Sequence, residues 1–283
     1  TNTGVDINEI YVSKKDKNLN QEWLLSTSGT SGTPKLLSYS IDKLMLTSKK
    51  NIKQGSEFRW GLCYDLNRFA GLQVYLQAIS SGSPLTITEG ASDPSDIVKL
   101  FANKSVNCLS GTPSFWRKIL MTQGSKRLDF KRITLGGEIA DQAILSSLEN
   151  VYKGSKISHI YASTEAGVGF SVQDGLMGFP AEYLESTSQL GVELKIVDDL
   201  LWIKSKGSAS NILSGNLIID KNGFINTGDI VEIKDNRVLF VGRDSGAINV
   251  GGNKFIPEEV ESILNNCPEV LQSRVFGKKN SVL

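Results

Sequence analysis

Short apolar runs alternate with amphipathic stretches over the first two thirds of the chain. The apolar runs predict buried strands at 60–64, 84–88, 105–109, 131–135 and 156–160. The stretches between them have helical periodicity and predict helices at 69–80, 94–103, 113–122 and 140–151. This alternation is typical of a mostly parallel β-sheet covered by helices, so the pattern predicts an α/β fold.

Two further strands and a helix are predicted ahead of this unit. Trp23–Ser26 and Leu36–Ser40 are short apolar runs on either side of a loop at 27–35. The residues at 41–52 then predict a helix.

The pattern changes near residue 186 to closely spaced strand-like runs, which indicate an antiparallel section. Asp198-Asp199 and Asp235-Asn236 each separate two such runs and are typical hairpin turns. The runs lie at 191–197, 200–205, 216–220, 229–234 and 237–241.

A helix is predicted to begin at Pro257, because proline suits the first helical turn and acidic residues follow it. We therefore divide the chain into an α/β core at 1–185, a small antiparallel β subdomain at 186–243, and the start of a C-terminal α+β subdomain at 244–283.

Composition and charge narrow the classes of function. The 283 residues are 40% hydrophobic and carry 31 basic against 30 acidic side chains, a net charge of +1. Such a balance gives no broad footprint for nucleic acid or an anionic membrane. The sequence has no membrane-length apolar run and no signal peptide, so we expect a cytoplasmic protein. His159 is the only histidine, and the three cysteines lie far apart, which argues against a zinc site.

Residues 26–35 form a loop rich in glycine and hydroxyl groups that ends in a lysine, Ser-Thr-Ser-Gly-Thr-Ser-Gly-Thr-Pro-Lys. Glycines let backbone amides converge on an anion, hydroxyls donate further hydrogen bonds, and Lys35 supplies charge. The loop lacks the Gly-Lys-Ser/Thr ending of a Walker A motif. Its composition suits a polyphosphate, although a flexible turn has the same composition. The candidate phosphate ligands are Thr27, Ser28, Gly29, Thr30, Ser31, Gly32, Thr33 and Lys35.

This loop resembles the phosphate loop of the adenylate-forming superfamily, which includes acyl- and aryl-CoA synthetases, luciferases and the adenylation domains of peptide synthetases. The run from Tyr161 to Glu165, Tyr-Ala-Ser-Thr-Glu, resembles that family's Tyr-Gly-x-Thr-Glu signature, with Ala162 replacing the usual glycine. The resemblance implies that the Tyr161 ring stacks on adenine and Thr164 bonds an α-phosphate oxygen. It also implies that Glu165 holds Mg²⁺. Lys35, Thr164 and Glu165 are thus the candidate catalytic residues.

Further motifs follow in the family's order. Gly136-Gly137-Glu138 resembles an element that lines the adenine and acyl pockets, and Thr227-Gly228-Asp229 one whose aspartate accepts bonds from ribose hydroxyls. The long run at 242–261 resembles the hinge and thiolation-loop region. It implies that Arg243 reaches the ribose, that Asp244 is the hinge residue, and that Gly251-Gly252 line the passage for a thiol.

The resemblance implies two groups of binding residues. Besides the phosphate loop, the nucleotide site comprises Gly137, Glu138, Tyr161, Ala162, Ser163, Thr164, Asp229 and Arg243. The acyl pocket comprises Arg68, Phe69, Gly111, Gly136 and Val168. Arg68 stands where the family usually has an aromatic-histidine pair, and two interpretations remain open for it. It either pairs with a second acidic group of the substrate or is a surface arginine at a helix start.

The chain departs from the family at both ends. Only about two dozen residues precede the phosphate loop, which resembles short-form members such as o-succinylbenzoate-CoA ligases; a missing N-terminal segment is the alternative. The family's catalytic lysine belongs to the mobile C-terminal domain, and Lys278 and Lys279 come too early for that role. We therefore expect the intact protein to continue past Leu283 and this chain to be poorly active by itself.

The resemblance implies ATP-dependent activation of a carboxylic acid to acyl-AMP, with release of pyrophosphate and transfer of the acyl group to a thiol. The implied cofactors are ATP and Mg²⁺, with coenzyme A as the thiol or, next, a carrier-protein phosphopantetheine. Two alternatives stay open: an acyl-AMP ligase that loads a carrier protein, and a degenerate protein that binds nucleotide or acyl-adenylate without turnover. The sequence does not identify the acid.

Overall fold

The computed structural model describes residues 22–27, 34–88, 93–186, 191–250, 253–267 and 269–278. The strands are β1 (Glu22–Ser26), β2 (Leu36–Ser40), β3 (Trp60–Leu62), β4 (Leu85–Ile87), β5 (Cys108–Gly111), β6 (Arg132–Leu135), β7 (Lys156–Ser163), β8 (Gly167–Val172), β9 (Phe179–Pro180), β10 (Val192–Val197), β11 (Leu200–Ser205), β12 (Asn211–Ser214), β13 (Ile225–Lys234), β14 (Arg237–Arg243), β15 (Ile248–Val250) and β16 (Asn253–Phe255). The α-helices are α1 (Ile41–Leu44), α2 (Ile52–Gly55), α3 (Phe69–Ser80), α4 (Pro94–Asn103), α5 (Pro113–Met121), α6 (Gln142–Val151) and α7 (Pro257–Asn265).

The largest sheet has six strands in the order β4-β3-β5-β6-β7-β8. The first five are parallel, and β8 pairs antiparallel with β7. Each parallel strand predicted from an apolar run is present, with bounds shifted by up to three residues. Helices α3 and α4 have the predicted bounds. The α/β prediction is confirmed, and β8 is an addition to it.

Helices cover both faces of this sheet. Cys108 and Leu109 are neighbours in β5, and successive strand residues point to opposite faces. Cys108 packs in a cluster with Val74 and Ala78 of α3. Leu109 packs in a larger cluster with Trp116 of α5 and other residues of α4 and α6. The core therefore lies in two layers, one on either side of the strands.

The second sheet is antiparallel, with five strands in the order β10-β11-β13-β14-β9. Both predicted hairpin turns are present: Asp198 and Asp199 have φ of 51° and 60°, and Asp235 and Asn236 have 48° and 62°. Positive φ at both central residues is what a tight hairpin requires. The predicted run at 216–220 is not a strand; Ile219 forms only an isolated bridge with Ile225.

A third sheet joins the beginning of the chain to its later part. Its order is β1-β2-β12, so a strand from beyond residue 210 pairs with the strand that follows the glycine-rich loop. Strand β12 was not predicted, because it is four residues long and largely exposed.

The helix predicted at 41–52 is wrong. Two four-residue helices, α1 and α2, take its place. The side chain of Asn51 accepts a hydrogen bond from the backbone N–H of Gln54 and so starts a second helix at the end of the predicted one.

Helix α7 begins at Pro257 as predicted and lies against β14. A Cβ built on Gly242 of β14 would lie 2.3 Å from Ile256 and 2.7 Å from Glu258, so this strand and helix are in close contact. None of the helices in the described ranges combines the length and the apolar character that a bilayer crossing requires.

Candidate active site

The predicted site residues converge at the carboxyl ends of the parallel strands. Gly111, Gly136 and Ser163 lie at or directly after the ends of β5, β6 and β7, which are neighbours in the sheet. Ligands of open α/β sheets bind at this edge. The residues predicted from the motifs therefore lie at an edge that suits a ligand.

Lys35 and Glu165 form an ion pair at this edge. The ammonium of Lys35 lies 3.0 Å from Oε1 of Glu165, and the two side chains are 22% and 18% exposed. Lys35 directly precedes β2, whereas Glu165 lies in the turn between β7 and β8. The pair joins the residue predicted to meet phosphate to the residue predicted to hold the metal.

Two hydrogen bonds join Thr27 and Lys35, the residues near the two ends of the glycine-rich loop. The N–H of Thr27 donates to the carbonyl of Lys35 at 2.9 Å, and the N–H of Lys35 donates to Oγ1 of Thr27 at 3.3 Å. The loop therefore leaves and returns at one place beside Glu165. The other predicted phosphate ligands, at 28–33, lie outside the described residues.

The turn that carries Thr164 and Glu165 is held from three sides. The phenol of Tyr39 in β2 donates to the carbonyl of Thr164. The N–H of Ala209 donates to the carbonyl of Glu165 at 3.0 Å. Within the turn, the N–H of Ala166 donates to Oγ of Ser163 at 3.0 Å. These bonds fix the backbone of the turn. Sequence reasoning missed Tyr39, because one tyrosine in an apolar strand gives no local signal of a long-range contact.

Gly167 completes the turn in a conformation that requires glycine. Its φ is +73°, and a Cβ there would lie 2.3 Å from the carbonyl oxygen of Gly207. Near it, the β7–β8 ladder has an irregularity between Tyr161 and Ala162, at the position where the motif departs from the family.

Asp229 is the acceptor for two groups. Nε of Arg243 donates to Oδ1 at 2.8 Å, and the hydroxyl of Tyr161 donates to Oδ2 at 2.5 Å. Arg243 also donates to the carbonyl of Thr227 at 3.3 Å. Burial, reinforced by the charge of Asp229, raises the pKa of Tyr161 well above its usual value. Burial opposes it, but the charges of Asp229 and, more weakly, Glu165 raise the pKa of Arg243, so this guanidinium lies within electrostatic range of the Lys35–Glu165 pair.

The ring of Tyr161 differs from the expectation that it offers an open face to adenine. The rings of Phe170 and Phe240 both stack on it, each with its centroid 5.3 Å away and with interplanar angles of 14° and 9°. Two protein aromatic rings thus pack on Tyr161, and adenine stacking on this residue stays a prediction. In this arrangement the hydroxyl of Tyr161 holds Asp229.

The Gly136-Gly137-Glu138 turn packs against the start of α5. Oε2 of Glu138 accepts a hydrogen bond from the N–H of Ser114 at 2.9 Å, so this side chain serves the helix end. Gly137 has a φ of +82°, which favours glycine, and Tyr64 donates to the carbonyl of Gly136 at 3.3 Å. Gly137 and Glu138 are exposed in this turn, whereas Gly136 is buried.

The predicted acyl-pocket residues have different environments. Phe69 is 8% exposed and lies in the core beside Tyr39, with ring centroids 5.9 Å apart, so its side chain does not line an open pocket. Val168 packs at the edge of the same cluster. Arg68 is exposed at the start of α3 and donates from Nη1 to the carbonyl of Ser26 at 3.4 Å. This places its guanidinium near the glycine-rich loop.

The predicted hinge residue Asp244 begins a short 3-10 helix, Asp244–Gly246, directly after β14. Gly251 and Gly252, predicted for the thiol passage, lie outside the described residues.

The residues at the site fit a magnesium ion that is held jointly with a nucleotide. Within the described ranges, no three or more His, Cys, Asp or Glu side chains form a self-sufficient metal cage. Mg²⁺ in nucleotide enzymes is commonly bound by one or two carboxylates plus substrate phosphates. Glu165 supplies such a carboxylate, and its present partner is a cation.

Comparisons with known proteins find several similar chains. Residues 21–221 match the family model described as AMP-binding enzyme. The chain is 22% identical to the putative acyl-CoA ligase YdaB of Bacillus subtilis (strain 168), covering 90% of this chain and 54% of that protein. It is 23% identical to the 2-succinylbenzoate-CoA ligase of Listeria innocua, covering 91% and 56%.

A solved structure has the same fold. The anthranilate CoA ligase AuaEII in complex with anthranoyl-AMP superposes with a TM-score of 0.72 at 19% identity, covering 90% of this chain and 53% of that one. The chain spans about half the length of the curated relatives it matches.

Proposed function

We propose, from the premise that this chain belongs to the AMP-binding enzyme family, that it is the nucleotide-binding part of an enzyme that activates a carboxylic acid. The acid attacks the α-phosphorus of ATP, pyrophosphate leaves, and acyl-AMP forms. The observation that supports this most is that two charged pairs contact the end of β7. Lys35 pairs with Glu165, in the turn after the strand, and Arg243 pairs with Asp229, which also accepts a hydrogen bond from Tyr161 of the strand.

Each pair suits one part of ATP. Lys35 is a compact cation at the foot of a loop whose composition suits polyphosphate, so its ammonium is the group that binds the phosphates. Glu165 then becomes free to bind Mg²⁺, which neutralises phosphate charge when bound. Asp229, held by Arg243 and Tyr161, is oriented to accept hydrogen bonds from ribose hydroxyls. The protein's part in this step is to position groups and balance charge.

Acyl transfer to a thiol is proposed for the whole protein. Coenzyme A is the thiol that the named relatives favour, since both are described as CoA ligases. In this proposal 1–185 and 186–243 form the adenylating body, and 244–283 begin a mobile subdomain that turns about Asp244. Gly251 and Gly252 would line the path of the thiol.

The acid would lie at the carboxyl ends of β5 and β6, near Gly111 and Gly136, with Arg68 and Val168 at its far side. The Arg68 guanidinium, close to the glycine-rich loop, favours an acid with a second anionic group over a plain fatty acid.

The test is ATP–pyrophosphate exchange by the purified whole protein across a panel of mono- and dicarboxylic acids, with Glu165→Gln as the matched loss-of-charge variant. We expect exchange with at least one acid and its loss in the variant. Thioester formation on addition of coenzyme A would support the CoA ligase, and exchange without thioester would support carrier loading. If calorimetry also detected no binding of magnesium–ATP, the proposal would be wrong.

A further inference from the structure

Two residues in or next to strand β2 contact the turn that contains Thr164 and Glu165. Lys35, just before the strand, pairs with the Glu165 side chain, and Tyr39, four residues later, donates its phenol hydrogen to the Thr164 carbonyl. The first contact holds a side chain by charge. The second holds the peptide group between Thr164 and Glu165.

The two contacts respond differently to a nucleotide. On the proposed function, Lys35 turns to phosphate and Glu165 to Mg²⁺, so the ion pair breaks when ligand binds. The Tyr39 bond involves neither charged group and persists. Tyr39 is fully buried, its ring packs on Phe69, and no water competes for its hydroxyl.

The same strand is also bonded to the far side of the turn. The N–H of Ala209 donates to the Glu165 carbonyl at 3.0 Å, and the next N–H, of Ser210, donates to the Ser38 carbonyl of β2 at 2.7 Å. The backbone of residues 164–165 is therefore enclosed between β2 and residues 209–210. Only the Thr164 and Glu165 side chains are left to change partners.

We propose that Tyr39 is a positioning residue, whose hydroxyl holds the Thr164–Glu165 peptide in place while Glu165 exchanges Lys35 for the magnesium ion of a bound nucleotide. This inference rests on the proposed function and adds a residue to it. Without the hydroxyl, the turn would keep its fold but would lose its fixed position once the ion pair opens. The apparent affinity for Mg²⁺ should then fall.

Tyr39→Phe tests this, and Tyr152→Phe is its matched control. Tyr152 is also buried, and its hydroxyl also donates to a backbone carbonyl, that of Ser125 at 3.2 Å, but it lies among the helices of the large core cluster. Both variants keep the ring and lose one hydrogen bond, so both should fold with a similarly lowered melting temperature. Circular dichroism would check this.

The decisive measurement is calorimetric binding of ATP over a range of Mg²⁺ concentrations. For Tyr39→Phe we expect the Mg²⁺ concentration at which the enhancement of ATP affinity is half-maximal to rise about 3- to 10-fold. This factor is the equivalent of one hydrogen bond. ATP binding without Mg²⁺ should be unchanged. Tyr152→Phe should match the wild type in both.

Equal Mg²⁺ requirements in all three proteins would overturn this inference and leave the proposed function intact. The inference would also be wrong if Tyr39→Phe weakened ATP binding by the same factor with and without Mg²⁺, because that result would indicate general damage to the nucleotide site. A wild-type protein that binds no magnesium–ATP would overturn both proposals together.

Discussion

The ammonium of Lys35 lies 3.0 Å from the carboxylate of Glu165, although 130 residues separate them along the chain. Each side chain is about four-fifths buried, so the charges meet where water screens them only in part. The lysine proposed to bind phosphate and the carboxylate proposed to bind Mg²⁺ thus neutralise each other. A ligand that fits this pair has a negative group for Lys35 and a positive group for Glu165, as a metal–polyphosphate complex does.

Replacement of Lys35 by methionine should lower the rate of ATP–pyrophosphate exchange by about 10²- to 10³-fold, because a charged contact to the phosphates is lost. Lys99→Met is the control, since Lys99 pairs with Asp96 on the exposed surface of α4. Exchange kinetics would measure both. A Lys35→Met protein as active as Lys99→Met would remove this lysine from the site.

Asp229→Asn should weaken AMP binding about tenfold and lower the free energy of unfolding by about 1–3 kcal/mol, because Arg243 loses its counterion and the Tyr161 hydroxyl a strong acceptor. Calorimetry and urea unfolding would measure these. Asp220→Asn, which breaks a similar pair with Lys195 elsewhere in the antiparallel half, should leave AMP affinity unchanged. Equal AMP affinities in the two variants would contradict the role of Asp229.

Gly167→Ala and Gly154→Ala separate backbone strain from steric overlap. Both glycines have positive φ, +73° and +86°, but only Gly167 has an atom, the carbonyl oxygen of Gly207, within contact of a new Cβ. We expect a loss of about 1 kcal/mol for Gly154→Ala and about 3 kcal/mol or more for Gly167→Ala. Chemical denaturation would measure both, and equal losses would show that the turn can relax.

Acidification should destabilise the protein through His159. Burial lowers the pKa of this imidazole in the folded state. The unfolded chain therefore takes up the proton first, near pH 6.5, and stability falls as the pH drops through that value. His159 is the only histidine, so its NMR titration is unambiguous. In His159→Gln the loss in the free energy of unfolding between pH 7.5 and 5.5 should be smaller than in the wild type. An equal or larger loss would contradict the role of His159 in acid destabilisation.

Features set by local pattern were predictable from the sequence. The Asp198-Asp199 and Asp235-Asn236 turns follow from residues that tolerate positive φ, and α4 begins where Asp93 and Pro94 provide a cap and a first turn. The short apolar strands of the parallel sheet also follow from local composition. The helix at 41–52 failed because Gln73 and Gln77 of α3 bond to the backbone of Leu44 and Lys49, and Asn51 caps a separate helix.

Features set by distant contacts were not predictable. The motifs placed Glu165 and Asp229 among the site residues. Nothing in the local sequence indicates that Lys35 pairs with Glu165, or that Tyr161 and Arg243 both bond to Asp229. The adenine-stacking expectation for Tyr161 assumed a free ring, whereas Phe240, almost 80 residues later, packs on it. Strand β12 was missed for the same reason, since its partner determines it more than its composition does.

The pairing of β2 with β12 has a consequence for biosynthesis. Asn211 bonds to Ser38, which lies 173 residues earlier in the chain. At about 5–20 residues per second, a ribosome would need roughly 9–35 s between making these two residues. Throughout that delay one edge of β2 would stay unpaired in the nascent polypeptide, where it can recruit foreign strands. The β2–β12 pairing therefore forms late in synthesis, and until then β2 is an edge at which the nascent chain can aggregate.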